Sequence, residues 1–166
     1  QSLLYRGAYA EAWTGYRLME PKLRNMPYCR IQLIRVVGHS LGALVALHNL
    51  NADDSDQWAS RTWVLTNQLR QEQIGFARVL ANLYVGLLLY RTAGQKQDQV
   101  DKAEELLRKA RDEGHRDHLR PYQLAADDAL ACIATGKSLG RLRDRMENQD
   151  VVRPSCFGRL YTVIVD

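Results

Sequence analysis

The stretch Ile74-Gly75-Phe76-Ala77-Arg78-Val79-Leu80-Ala81-Asn82-Leu83-Tyr84-Val85-Gly86-Leu87-Leu88-Leu89-Tyr90 decides the fold. Phe76, Leu80, Leu83, Leu87 and Tyr90 recur three and four positions apart, the repeat of one face of an α-helix. A half-buried strand would alternate at every second position, and this segment does not. Its longest apolar run, Leu83 to Tyr90, is far shorter than the roughly 20 residues that cross a bilayer as a helix. The segment reads as a buried helix ended by Thr92-Ala93-Gly94, where Gly94 suits the left-handed residue of a C-terminal cap.

Working outward, the same period persists. Towards the N-terminus, Leu3 to Leu18 is apolar or small at Leu4, Ala8, Ala12 and Tyr16, with Gly7 placed to split it and Pro21 placed to stop it near Glu20. Tyr28 to Leu50 reads as one long helix carrying Ile34, Val37, Leu41, Leu44 and Leu47 in phase. Gly38 and Gly42 interrupt it, each at a cost of about 1 kcal/mol against alanine. Asn51 to Asp56 is a turn rich in N-cap residues, and a helix from Gln57 to Arg70 follows, with Trp58, Leu65 and Leu69 on its apolar side.

Towards the C-terminus, Gln95 to Asp98 is a polar turn. Val100 to Glu113 is amphipathic and is ended by Gly114. Its pairs Glu104/Arg108 and Glu105/Lys109 contribute roughly 0.3 kcal/mol each. Pro121 suits the first turn of a helix running to Gly136. A last helix is expected from Ser138 to Asn148 and a short one after Pro154 through Leu160. Tyr161 to Val165 is β-prone. The expectation is an all-α chain of stacked antiparallel helical hairpins over residues 1–166, one domain.

Composition agrees with a globular chain. Hydrophobic residues make up 46% and charged residues 25% of the 166, so a core is available and disorder is not indicated. The 23 basic and 19 acidic residues leave a net charge of +4. The signs are interleaved, as in Arg141 to Glu147, which argues against a nucleic-acid binder with one basic face. Cys29, Cys132 and Cys156 are odd in number and widely spaced, which points to a reducing, cytoplasmic setting and no disulfide framework. No secretory leader is read and no cofactor is expected. The chain opens on Gln1-Ser2-Leu3-Leu4-Tyr5 without a starter Met, which raises the expectation of a fragment of a larger protein.

Two places resemble the tetratricopeptide (TPR) repeat, whose second helix carries a small residue and then a large one four later, after a turn glycine. Gly7, Ala12 and Tyr16 have that spacing. Gly94, Ala103, Leu107 and Ala110 have it with a longer turn, and Gly86 and Tyr90 precede them. The fold this implies is a TPR-like α-solenoid or right-handed superhelix. A longer resemblance runs through Leu4-Tyr5-Arg6-Gly7, Ala12-Trp13, Pro21-Lys22-Leu23 and Arg30-Ile31-Gln32-Leu33-Ile34-Arg35, then Gly136, Leu142, Met146, Gln149, Val151 or Val152, and Pro154. It is similar to the C-terminal region of large bacterial serine/threonine protein kinases, where a kinase domain and an ATPase-like domain precede a TPR-rich tail. Thr162 to Asp166 departs from that pattern. The resemblance implies a non-catalytic tail whose ATP-binding, catalytic parts lie elsewhere in the parent.

Three strings look catalytic. Gly38-His39-Ser40-Leu41-Gly42 resembles the nucleophile elbow of α/β-hydrolases, with Ser40 as nucleophile and His115 or His118 downstream. That chemistry needs a strand-turn-helix and an oxyanion loop, whereas the helical phase runs straight through both glycines. A serine esterase using Ser40 is the alternative reading. His115-Arg116-Asp117 resembles a kinase catalytic loop, but Tyr122 stands where an Asn holds magnesium, and no Gly-rich loop accompanies it. Thr135-Gly136-Lys137-Ser138 lacks the earlier Gly of a phosphate loop, since Ala131 holds that place. His115, His118 and Cys132 are too sparse for a metal set. The leading expectation is a protein-binding or regulatory module that contacts another protein or another domain of its own chain, with no membrane contact. The candidate binding positions are the polar residues Asn67, Arg78 and Asn82.

Overall fold

The computed structural model describes residues 2–25, 31–50 and 55–136. All regular structure among them is helical: α1 (Ser2–Tyr5), α2 (Tyr9–Asn25), α3 (Gln32–His48), α4 (Ser55–Gln71), α5 (Gly75–Thr92), α6 (Gln97–Arg116) and α7 (Arg120–Thr135). The expected elements after Gly136, the turn at 51–54 and the first residues of the 28–50 helix lie outside the described residues. From α2 onward each helix packs on the next. Consecutive partners run antiparallel: Arg35 near the start of α3 reaches Glu72 after α4, and Gly75 at the start of α5 meets Asp117 beyond α6.

α5 is the hub. It touches α3, α4, α6 and α7, and every residue from Val79 to Leu88 is buried. An all-round apolar helix has this fate, because no face is suited to water. Burying each Leu or Val side chain contributes roughly 1.5–3 kcal/mol. Such enclosure needs close approach, which glycine permits. A Cβ on Gly86 would lie 2.7 Å from Leu107 Cγ and 3.2 Å from the Ala103 carbonyl, so α6 seats directly on α5. A Cβ on Gly42 would clash with the Tyr16 ring of α2, 2.6 Å from its hydroxyl. Gly42 and Tyr16 are both buried.

The ends differ from expectation in instructive ways. α2 does not stop at Glu20 but carries Pro21 inside it. Proline removes one donor and crowds the carbonyl four residues back; Arg17 and Pro21 are both exposed, so neither effect is imposed on the core. Gly114 does not end α6. It is buried, 3.4 Å by its would-be Cβ from the Gln123 nitrogen of α7, and serves close packing. The terminator is His118, with φ of 58°. Leu119 N–H donates to the Gly114 carbonyl at 2.8 Å and His118 N–H to the His115 carbonyl at 3.3 Å, the pair of bonds of a Schellman cap. By contrast Gly7, Gly94 and Gly136 take positive φ where expected, at the break after α1 and past the ends of α5 and α7, and Pro121 sits in the first turn of α7.

Two substitutions test this packing. Gly42→Ala should destabilise the chain by about 1–3 kcal/mol, as overpacking does, and Tyr16→Leu in the same chain should recover most of the loss in urea unfolding. His118→Gly should raise stability by about 0.5–1 kcal/mol, because a side chain in the left-handed region carries a steric cost that glycine lacks; an unchanged unfolding midpoint would reject the cap assignment.

Candidate functional site

Ser40 lies in the middle of α3, not on a strand-turn-helix. Its hydroxyl is 3.0 Å from the hydroxyl of Tyr84, which α5 buries to 1% exposure. The flanking glycine that matters is Gly42, and it serves the Tyr16 contact. The elbow-like string is thus built into helix crossings on both sides. His115-Arg116-Asp117 closes α6, with Arg116 Nε 3.1 Å from Asp117 Oδ1. Gly136 caps α7 in the left-handed conformation and donates to the Cys132 carbonyl at 2.8 Å. Burial pushes the Cys132 thiol above its ordinary range. Lys137 and Ser138 lie outside the described residues.

The three candidate binding residues do not form one face. Asn67 is half-buried on α4. Arg78 is exposed at the start of α5, with its Nε 3.2 Å from Glu113 Oε1 of α6. Asn82 is buried, and its amide donates to the other oxygen of Glu113 at 3.5 Å. Asn82 thus makes an inter-helix contact with α6.

A different surface draws polar and aromatic groups together. α2 and α4 both pack on α3 and meet at Trp13 and Trp58, whose rings stand edge to face 5.0 Å apart. Beside this contact the two helices leave a groove of about 330 Å³ lined by Trp13, Tyr16 and Arg17 from one side and Arg61, Val64 and Gln68 from the other. The helical repeat puts residues 13, 16, 17 and 20 on one face of α2 and 60, 61, 64, 65 and 68 on one face of α4. The Arg61 guanidinium lies 4.8 Å from the ring centres of both Trp13 and Trp58, a geometry in which the ring quadrupole holds the cation. Val64 remains 53% exposed and Trp63 42%. Gln68 Oε1 is buried with no hydrogen-bond donor among the described residues. Sequence reading missed this groove. The only local signal was Trp58 and Arg61 three apart on one helix face.

Polar ties fix the helices that frame it. Arg35 forks onto Glu72, Nε to Oε1 at 2.7 Å and Nη2 to Oε2 at 2.8 Å, a bidentate geometry. Arg35 foremost, with Gln32 and His39 adding to it, holds the Glu72 carboxyl below its usual range against a partial desolvation that opposes it. At the other end of α3, Asn49 Nδ2 donates to the Val45 carbonyl at 2.8 Å and the Tyr9 carbonyl at 3.2 Å, and Tyr9 stacks on His48 at 4.4 Å. Arg91 of α5 donates to the Leu47 carbonyl at 2.9 Å; burial lowers its pKa. Among the described residues no helix is long and apolar enough to cross a membrane. Comparison with protein-family profiles, with curated proteins and with solved structures finds no match to this chain.

The Arg35–Glu72 pair gives a pH dependence of definite sign. A folded-state carboxyl pKa below the unfolded value contributes stability above the ordinary glutamate range, and that stability is lost as pH falls through the depressed value. Glu72→Gln should cost about 0.5–1.5 kcal/mol at pH 7, and the cost should shrink as pH falls through the lowered carboxyl value, read as urea midpoints over an acid pH series. A cost that stays constant down to full protonation of the carboxyl would show that the charge is not what stabilises the pair.

Proposed function

We propose that the chain is a non-catalytic interaction or regulatory module, built of TPR-like helical hairpins and carried at the C-terminal end of a multidomain serine/threonine protein kinase. The observation that carries the interaction reading is the groove between α2 and α4. It combines aromatic walls, an exposed aliphatic residue and two arginines on helix faces that nothing else in the described chain covers. Aromatic residues and arginine are the types that dominate binding energy at protein interfaces.

Support for the TPR-like reading comes from packing. Gly86 of α5 seats against Ala103 and Leu107 of α6, and Tyr16 of α2 seats against Gly42 of the following helix. Of these, Tyr16, Gly86, Ala103 and Leu107 are positions that the resemblance singles out. α3, α5 and α7 also touch one another in order, as alternate helices of stacked hairpins do. The kinase context rests on the resemblance of residues 4–35 and 136–154. The partner is another protein or another domain of the same parent.

The open reading frame containing this chain should encode, upstream, a Gly-rich loop, a Val-Ala-Ile-Lys lysine, a His-Arg-Asp loop and Asp-Phe-Gly. A frame without them removes the kinase context. The purified upstream domains should bind this chain in calorimetry, and Val64→Asp should weaken that binding at least about tenfold while leaving helicity unchanged. Undiminished binding by this variant would move the interface away from the groove.

A further inference from the structure

We infer that the groove between α2 and α4 takes a short acidic peptide segment, with a carboxylate side chain held by Arg17 and Arg61 and a neighbouring apolar side chain laid against Trp13 and Val64. The inference rests on the interaction-module reading and adds the chemistry of the partner to it.

Charge complementarity carries the choice. Arg17 and Arg61 line opposite sides of the groove. Arg35 of the neighbouring α3 is tied to Glu72, whereas neither Arg17 nor Arg61 has a carboxylate partner among the described residues. The one acid in the groove wall, Glu20, is already engaged in an interaction of its own. The Arg61 guanidinium lies against two tryptophan rings, which fixes where it sits, and none of the described residues accepts from its N–H donors. A guanidinium positioned this way donates to the two oxygens of a carboxylate with little further ordering.

The remaining groups define the rest of the segment. Gln68 Oε1, at the foot of the α4 wall, is buried and has no donor among the described residues, which native structures seldom leave so. Val64 and Trp13 offer an apolar wall beside the arginines. From Trp13 to Glu20 the groove runs about 10 Å along α2 at 1.5 Å per residue, enough for about three residues of extended chain. Two arginines near aromatic rings also suit a stacked nucleotide. The exposed aliphatic wall at Val64 and the interleaved charge of the chain favour the peptide.

The test is selection of a random dodecapeptide display library on the full 166-residue chain. Enriched sequences should place Asp or Glu within two positions of a large apolar residue. A synthetic peptide from that set should lose at least about tenfold in affinity on Arg17→Glu, on Arg61→Ala and on replacement of its own acid by the amide. Arg17 is exposed, so Arg17→Glu should leave the circular dichroism and melting curve unchanged, and it should regain affinity for the peptide in which lysine replaces the acid. Enriched peptides that lack an acid, or that bind equally well to both variants, overturn the acidic-groove assignment while leaving an interaction module standing. Oligothymidylate that binds more tightly than the peptide and depends on the same two arginines overturns the peptide class. A selection with no enrichment counts against both readings.

Discussion

The fold depends on the need to cover α5 on all sides. Val79 to Leu88 offers no polar face, so the helix cannot sit at a surface and must be surrounded. α3, α4, α6 and α7 do this, and the closest of these contacts requires a residue with no side chain. At Gly86 the Leu107 side chain occupies the space a Cβ would need. The outer glycine, Gly42, repeats the device one layer away, where Tyr16 fills the gap and fastens α2 to α3. Hydrophobic area drives the assembly, but the glycines and the large side chains opposite them set its register.

Once α3 to α7 close around α5, α2 has α3 as its main support among the described residues. It lies beside α4 without interdigitating along its length. The groove is what remains between two helices that share a neighbour more than they share each other. Trp13, Trp58 and Arg61 span it at one end. The polar ties at both ends of α3, Arg35 to Glu72 and Asn49 to Tyr9, hold the floor in place while the walls stay open to solvent.

Much of the helix order was legible because the apolar repeat is a local signal. α5, α6 and α7 follow from phase, and Gly94, Gly136 and Pro121 do what their chemistry favours. What failed was long-range. Gly114 looks like a terminator in isolation; only the approach of Gln123 shows it to be a packing residue, and the left-handed role passes to His118. Asn82 looks exposed because it is polar, yet Glu113 waits for it 31 residues away. Ser40 looks like a nucleophile in one dimension, and the partner that explains it, Tyr84, is 44 residues away. The groove was the least legible, since its two walls come from helices separated in sequence by all of α3, and no composition rule joins Trp13 to Arg61.

The bond from Arg91 to the Leu47 carbonyl has a consequence for synthesis. The last carbonyls of a helix have no partner within it, and here the Leu47 carbonyl accepts both the Leu50 N–H just past the helix and a side chain 44 residues further along the chain. Ser40 and Tyr84 are separated by the same distance. As the polypeptide leaves the ribosome, α3 therefore emerges before α5. It can meet α4 and Glu72 early, but these two contacts form only once Tyr84 and Arg91 have followed.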